Sequence, residues 1–200
     1  MRLLRLLPLL PLGLAACGGG ETPDGGGAAD TAADAPAAAA PAPSRPTGEP
    51  TMPEWYVVDH DARTVELTLT AGSTNRNNYW NYNGAINGEM AIVVPEGYEV
   101  SITLINQDPN MPHSAVISDR LSNFTAPIDP VPVFDGAATQ NPTSMVDATM
   151  PGETETITFS AAQAGQYSLV CTIPGHSALG MWLWFDVVAG DGQPVGVIGA

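Results

Sequence analysis

The chain has no lysine. Its 200 residues carry six basic side chains, all arginine, against 21 acidic ones, a formal net charge of −15. So acidic a balance argues against nucleic acid and anionic lipid headgroups as partners and favours solubility or a basic protein. Histidine is scarce, with His60, His113 and His176 the only three, and cysteine is scarcer, with Cys17 and Cys171. No apolar run reaches the roughly 20 residues that a membrane-spanning helix needs, and no segment holds a helical hydrophobic period over three turns. Carboxylates are abundant, but none is spaced with a His or Ser for hydrolysis, and no glycine-rich loop is placed to cradle phosphate.

What is present begins with a positively charged Met1-Arg2-Leu3-Leu4-Arg5 and a short apolar stretch to Ala16. That is the shape of an export signal. It ends in Leu14-Ala15-Ala16-Cys17, which resembles the bacterial lipobox. Residues 1–16 are therefore expected to be a lipoprotein signal peptide and Cys17 the lipidated first residue of the mature chain. The protein should then lie on the periplasmic side, anchored to the inner or outer membrane. Several acyl chains at about 0.8 kcal/mol per buried CH₂ make such an anchor stable. With Cys17 so used, Cys171 has no disulfide partner in the folded part.

Residues 18–50 consist almost entirely of Gly, Ala, Pro, Asp, Glu, Thr and Ser, without an aromatic or branched aliphatic side chain. Nothing there offsets the entropy of ordering, and 17–50 reads as the lipidated cysteine followed by a disordered linker. Extended, the linker reaches on the order of 100 Å at about 3.1 Å per residue.

Residues 51–200 make one domain, with aromatic and β-branched residues from Trp55 onward. Alternation is clear in Thr64–Thr70, Glu99–Ile105, Glu155–Phe159 and Tyr167–Cys171, and short apolar runs fill Met90–Val94, Ala115–Ile117 and Met181–Val188. Seven or eight short strands separated by Gly, Pro and Asn turns predict an all-β, Greek-key β-sandwich. The stretch Trp80–Gly97 reads as two strands around polar turns.

The scarce residues converge in Cys171-Thr172-Ile173-Pro174-Gly175-His176-Ser177-Ala178-Leu179-Gly180-Met181, which sets a thiolate, an imidazole and a thioether five residues apart. A second imidazole, His113, opens an apolar run upstream. Two His, one Cys and a weaker Met form the ligand set of a type 1 copper site. Sulfur favours Cu(I) and imidazole suits both oxidation states, so an electron comes and goes with little rearrangement. An unpaired cysteine in an exported protein is an oxidation hazard that metal ligation removes. His60, flanked by Asp59 and Asp61, is the competing second imidazole and reads as a surface residue. Met181 could equally fill a core gap, but its spacing from Cys171 and His176 favours the axial ligand.

Asn81-Tyr82-Asn83-Gly84, then Gly88-Glu89-Met90-Ala91-Ile92-Val93-Val94-Pro95-Glu96-Gly97, an upstream His and a final Cys-x4-His-x4-Met resemble the sulfocyanins, within the rusticyanin-type branch of the cupredoxins. The resemblance covers roughly residues 75–188. It implies a cupredoxin-like sandwich holding one copper ion on His113, Cys171, His176 and Met181. It also implies that His176 shows its outer ring edge to solvent as the electron's exit, within a smooth patch of Ile173, Pro174, Ala178, Leu179 and Gly180 that Met111 and Pro112 extend. Asn usually follows the upstream His in this family and ties the ligand loops together; here the residue is Ser114.

The expected function is a membrane-tethered, monomeric electron carrier between redox proteins of cytochrome or oxidase type. Copper delivery or storage is the alternative. A multicopper oxidase needs further His-x-His pairs, and a binuclear copper subunit needs two loop cysteines. The dry surround of the site is expected to set a high potential. Trp182 and Trp184 are expected to pack rather than to relay electrons; the 121–150 loop, rich in Pro, Asp and Thr, is long for a sandwich, and the sequence assigns it no role.

Overall fold

A computed structural model describes residues 44–124, 127–190 and 192–199. The expected signal peptide, Cys17 and the linker up to residue 43 lie outside the described residues. Within them there are nine strands: β1 (Tyr56–Asp59), β2 (Thr64–Ala71), β3 (Ala91–Pro95), β4 (Glu99–Asn106), β5 (Val116–Asp119), β6 (Thr154–Ser160), β7 (Gly165–Val170), β8 (Trp182–Val188) and β9 (Gly196–Ile198). One sheet runs β1-β2-β4-β6 and the other β5-β7-β8-β3-β9. β2 with β4 and β3 with β8 are parallel, and the other ladders are antiparallel. The chain is an all-β sandwich, as its alternating strands predict. No described helix is long and apolar enough to cross a membrane.

All seven expected segments form strands, and two short ones, β1 and β9, are added at sheet edges. The region before β3 is not a strand. Asn77, Asn78 and Tyr79 take positive φ of 53°, 56° and 68°, making a left-handed turn. The folded body also begins earlier than expected: Arg45 is paired with Asp186, and Thr51 bridges Val197 on β9. Residues 44–50, assigned to the linker, are therefore laid against the domain.

Side chains alternate across a strand, and that parity builds both the core and the site. Val65, Leu67 and Leu69 on β2, Val100, Ile102 and Leu104 on β4, and Ile157 and Phe159 on β6 are buried in one cluster with Leu169, Leu183, Phe185, Ile92 and Val94 from the facing sheet. Each such side chain contributes about 1.5–3 kcal/mol by leaving water, and Phe185→Ala would cost about 3–5 kcal/mol. Cys171 continues the inward parity of Tyr167 and Leu169, and Met181 that of Leu183 and Phe185; both belong to the core cluster. His113 shares the parity of Ala115 and Ile117, and it too is fully buried. The opposite parity carries Val116, Val170, Trp182 and Trp184 into a second cluster that Phe124 closes, stacked on Trp182 at 3.8 Å. The two tryptophans after the loop thus pack, as expected.

Candidate metal centre

β5, β7 and β8 are neighbours in one sheet. Because Val116 pairs with Val170 and Val170 with Trp182, the chain before β5, after β7 and before β8 emerges at one pole of the sandwich. His113, Cys171 and Met181 stand at those three places, and the connection between the last two returns His176 to them. The return is a chain of tight turns: His176 N–H donates to Ile173 O (3.1 Å), Leu179 N–H to Gly175 O (3.1 Å), Gly180 N–H to Ser177 O (3.0 Å) and Met181 N–H to His176 O (2.9 Å). The Cys171 N–H closes the ring onto Met181 O at 3.1 Å. Gly180 is required there: its φ is 103°, and a Cβ would lie 2.5 Å from Asn87 Oδ1.

The ligating atoms converge. Cys171 Sγ lies 3.5 Å from His176 Nδ1 and 3.9 Å from His113 Nδ1, and the two Nδ1 atoms are 3.2 Å apart. A point in their plane is about 2.1 Å from each, the circumradius of that triangle. That matches imidazole and thiolate bonds to a small cation, about 2.0–2.3 Å. The residues therefore fit a trigonal copper set. Met181 is fully buried and held by backbone bonds to both loop ligands. His60 is exposed, 2.9 Å from the Tyr98 hydroxyl and outside the site.

Protonation favours metal. Burial, and then the facing imidazole of His113, hold His176 down to about 3. Burial lowers His113 as well, with Asp108 opposing. Both rings are neutral at ordinary pH and free to ligate. Burial pushes the Cys171 thiol up, offset by the N–H groups of Ser114 and Ile173 and by the hydroxyls of Ser114 and Tyr82. A bound cation removes that proton outright.

The surrounding residues hold the cage. Asp108, itself buried, places Oδ2 2.9 Å from His113 Nε2, while its Oδ1 accepts from the N–H groups of Asn110 (2.8 Å) and Met111 (3.2 Å). Residues 106–110 form a polar turn that also orients a ligand. Ser114 replaces the usual Asn and still spans the loops: its Oγ accepts from Thr172 N–H at 3.0 Å and lies 3.7 Å from the sulfur. The Tyr82 hydroxyl donates to Ser114 O, so the Asn81-Tyr82-Asn83-Gly84 stretch braces the His113 loop from below. The 121–150 loop reaches the site through its backbone, with His113 N–H bonded to Thr149 O at 3.0 Å and Thr172 Oγ1 to Pro142 O at 2.8 Å.

One expectation is corrected. His176 shows no edge to solvent: it is 0% exposed, and its Nε2 is buried without a partner. The indole of Trp80 stacks on it at 3.9 Å between centroids, 19° from parallel. Nothing local announced this, since 96 residues separate the two rings in sequence. The expected smooth patch is also smaller. Pro174, Gly175, Ala178 and Leu179 are exposed, whereas Ile173, Gly180 and Pro112 are buried.

Neutral imidazoles and a buried sulfur preset at bonding distance from one point, at the strand ends of a two-sheet sandwich, place this protein in the cupredoxin class, with one type 1 copper ion as its cofactor. Residues 54–196 match the Sulfocyanin (SoxE) domain family. The chain belongs to the sulfocyanin family. It is 34% identical over 129 residues to a sulfocyanin of Sulfolobus acidocaldarius, an alignment covering 60% of this chain and 61% of that protein, so it spans about three fifths of that relative's length. Among solved structures it is similar to rusticyanin from Thiobacillus ferrooxidans, at 24% identity and TM-score 0.45, over 67% of this chain and 86% of that one. Reduced auracyanin from Roseiflexus castenholzii is similar at 24% identity and TM-score 0.42, over 60% of this chain and 94% of that one.

Proposed function

We propose that the protein is a one-electron carrier, tethered through Cys17 on the outer side of a cell membrane and moving electrons between redox proteins. The observation that carries this is the preformed, fully buried His113–Cys171–His176 triangle with neutral imidazoles. The copper supplies one-electron oxidation and reduction. The chain supplies everything else: Asp108 fixes the His113 ring, Ser114 fixes the two loops to each other, and Met181 would offer a weak fourth donor that tunes the potential. Because the sandwich sets the ligand positions beforehand, little moves when the charge changes.

Burial of every ligand weighs against copper delivery, which needs open, exchangeable sites. The lipid anchor and the linker rest on Leu14-Ala15-Ala16-Cys17 and on the composition of residues 18–50. The acidic surface fits a basic redox partner. The visible and EPR spectra of the Cu(II)-loaded chain test the reading: an intense red-end absorption that bleaches and returns through one redox cycle is expected. Its absence, together with easy loss of copper to a weak chelator, would transfer the case to delivery. Membrane-fraction labelling with a radioactive fatty acid, lost on Cys17→Ala, tests the tether.

A further inference from the structure

We propose, building on the electron-carrier reading, that electrons enter and leave through the indole of Trp80 rather than through the imidazole edge of His176. His176 is fully enclosed, while Trp80, stacked flat on it at 3.9 Å, is only partly buried and reaches solvent. The Trp80 ring nitrogen is buried without a partner, so what the indole offers outward is carbon. Its turn is bonded to the copper loop at Leu179, which is 59% exposed, and that loop also shows the uncharged Pro174, Gly175 and Ala178 to solvent. A small, weakly polar contact of this kind forms and dissociates quickly.

The placement of Trp80 is built into the backbone. The left-handed residues Asn77, Asn78 and Tyr79 precede it, a run of conformations that L-residues rarely adopt in succession and that persists where surrounding structure over-determines it. Here Asn77 Nδ2 bonds both Trp80 O (2.9 Å) and Leu179 O (2.8 Å), which locks the turn onto the copper loop. Asn81 Nδ2 holds the same turn through Thr74 O and Arg76 O, each at 2.9 Å. Arg76 clamps it again with two bonds to Glu89, at 2.5 and 2.6 Å. Packing alone does not call for so many ties on an exposed turn; holding one ring in register with a ligand does.

In the forward direction Cu(I) becomes Cu(II) and one electron passes to the partner's acceptor. The indole supplies electronic coupling, remains closed-shell and exchanges no proton. The test uses the full chain with Trp80→Leu, which fills space without a π face, and Trp80→Phe, which keeps a smaller ring. In the metal-free protein, carbethoxylation of His176 read by mass spectrometry should be blocked in wild type and open in Trp80→Leu; a reactive wild-type His176 would overturn the enclosure.

In the copper-loaded protein, the electron self-exchange rate is read from NMR line broadening at high salt, where like charges are screened. It should be largely lost in Trp80→Leu and retained in part in Trp80→Phe, with the absorption band kept; self-exchange has no net driving force, so a shift in midpoint does not account for the loss. An undiminished or faster rate in both variants, with the band intact, would make Trp80 a shield and sink the proposal. A wild-type protein with no red-end band would instead remove the carrier reading on which the proposal rests.

Discussion

The Nε2 of His113 and the Oδ2 of Asp108 lie 2.9 Å apart in a fully buried pair. A carboxylate behind a ligating imidazole fixes its tautomer, leaving Nδ1 as the free donor, and makes the ring more basic. Added negative charge near the centre favours the higher metal charge, so Asp108 works against the raising of the potential by the dry surround. Asp108→Asn removes the charge and keeps a single acceptor oxygen, which serves either the turn or the His113 ring but not both. Copper affinity should fall about 10–100-fold, more for Cu(II) than for Cu(I). Each tenfold difference between the two states raises the midpoint by about 59 mV. Redox titration of wild type and variant checks the sign, and an unchanged or lower midpoint in the variant contradicts the assignment.

Tyr82 stands in the core with its hydroxyl on Ser114 O, next to the ligand loop. Tyr82→Phe leaves that buried carbonyl without its donor, at a cost of about 1–3 kcal/mol. It also withdraws one hydroxyl from the neighbourhood of the sulfur. Chemical denaturation of the copper-free protein should register the loss in midpoint with an unchanged slope. A variant as stable as wild type would mean that Ser114 O finds another donor.

Acid should weaken the metal-free fold before it touches most carboxylates. An unfolded histidine titrates near 6.5, whereas the folded protein holds His176 down to about 3 and His113 below its usual value. Above the unfolded value both states are neutral and neither histidine contributes. As pH falls below it, the unfolded chain takes up protons that the folded site refuses, so stability declines. Thermal melts of the copper-free protein should therefore drop in Tm between about pH 6.5 and about pH 5, above the ordinary carboxylate range. His176→Phe should flatten the decline; a Tm that is level or rising on acidification refutes it.

The strands that build the core were legible because their parity is strict: Val65, Leu67 and Leu69 face one way in sequence and in space. The same parity could be followed to Cys171 and Met181, and the spacing of Cys, His and Met carried the loop. β1 and β9 escaped because four residues and three residues at a sheet edge give too short a pattern. Asp108 was hidden by its company, since Asp-Pro-Asn is turn chemistry and the carboxylate serves that turn with its other oxygen. Trp80 over His176 is a contact between distant segments, fixed by a turn of positive φ that no periodicity signals.

The two sulfur residues should separate cleanly under mutation. Cys171→Ser removes the soft, covalent partner of the trigonal set, so a Cu(II)-loaded variant should lack the intense red-end absorption whatever copper it retains. Met181→Leu is a volume-conserving exchange in a fully buried site, costing less than about 1.5 kcal/mol in packing. It deletes a weak donor and leaves the trigonal ligands in place. The blue band and the copper should survive, and the midpoint should rise, because the lost thioether no longer supports the oxidised state. Titrating both variants beside wild type decides the roles. If Met181→Leu releases its copper, Met181 holds the ion as well as tuning it.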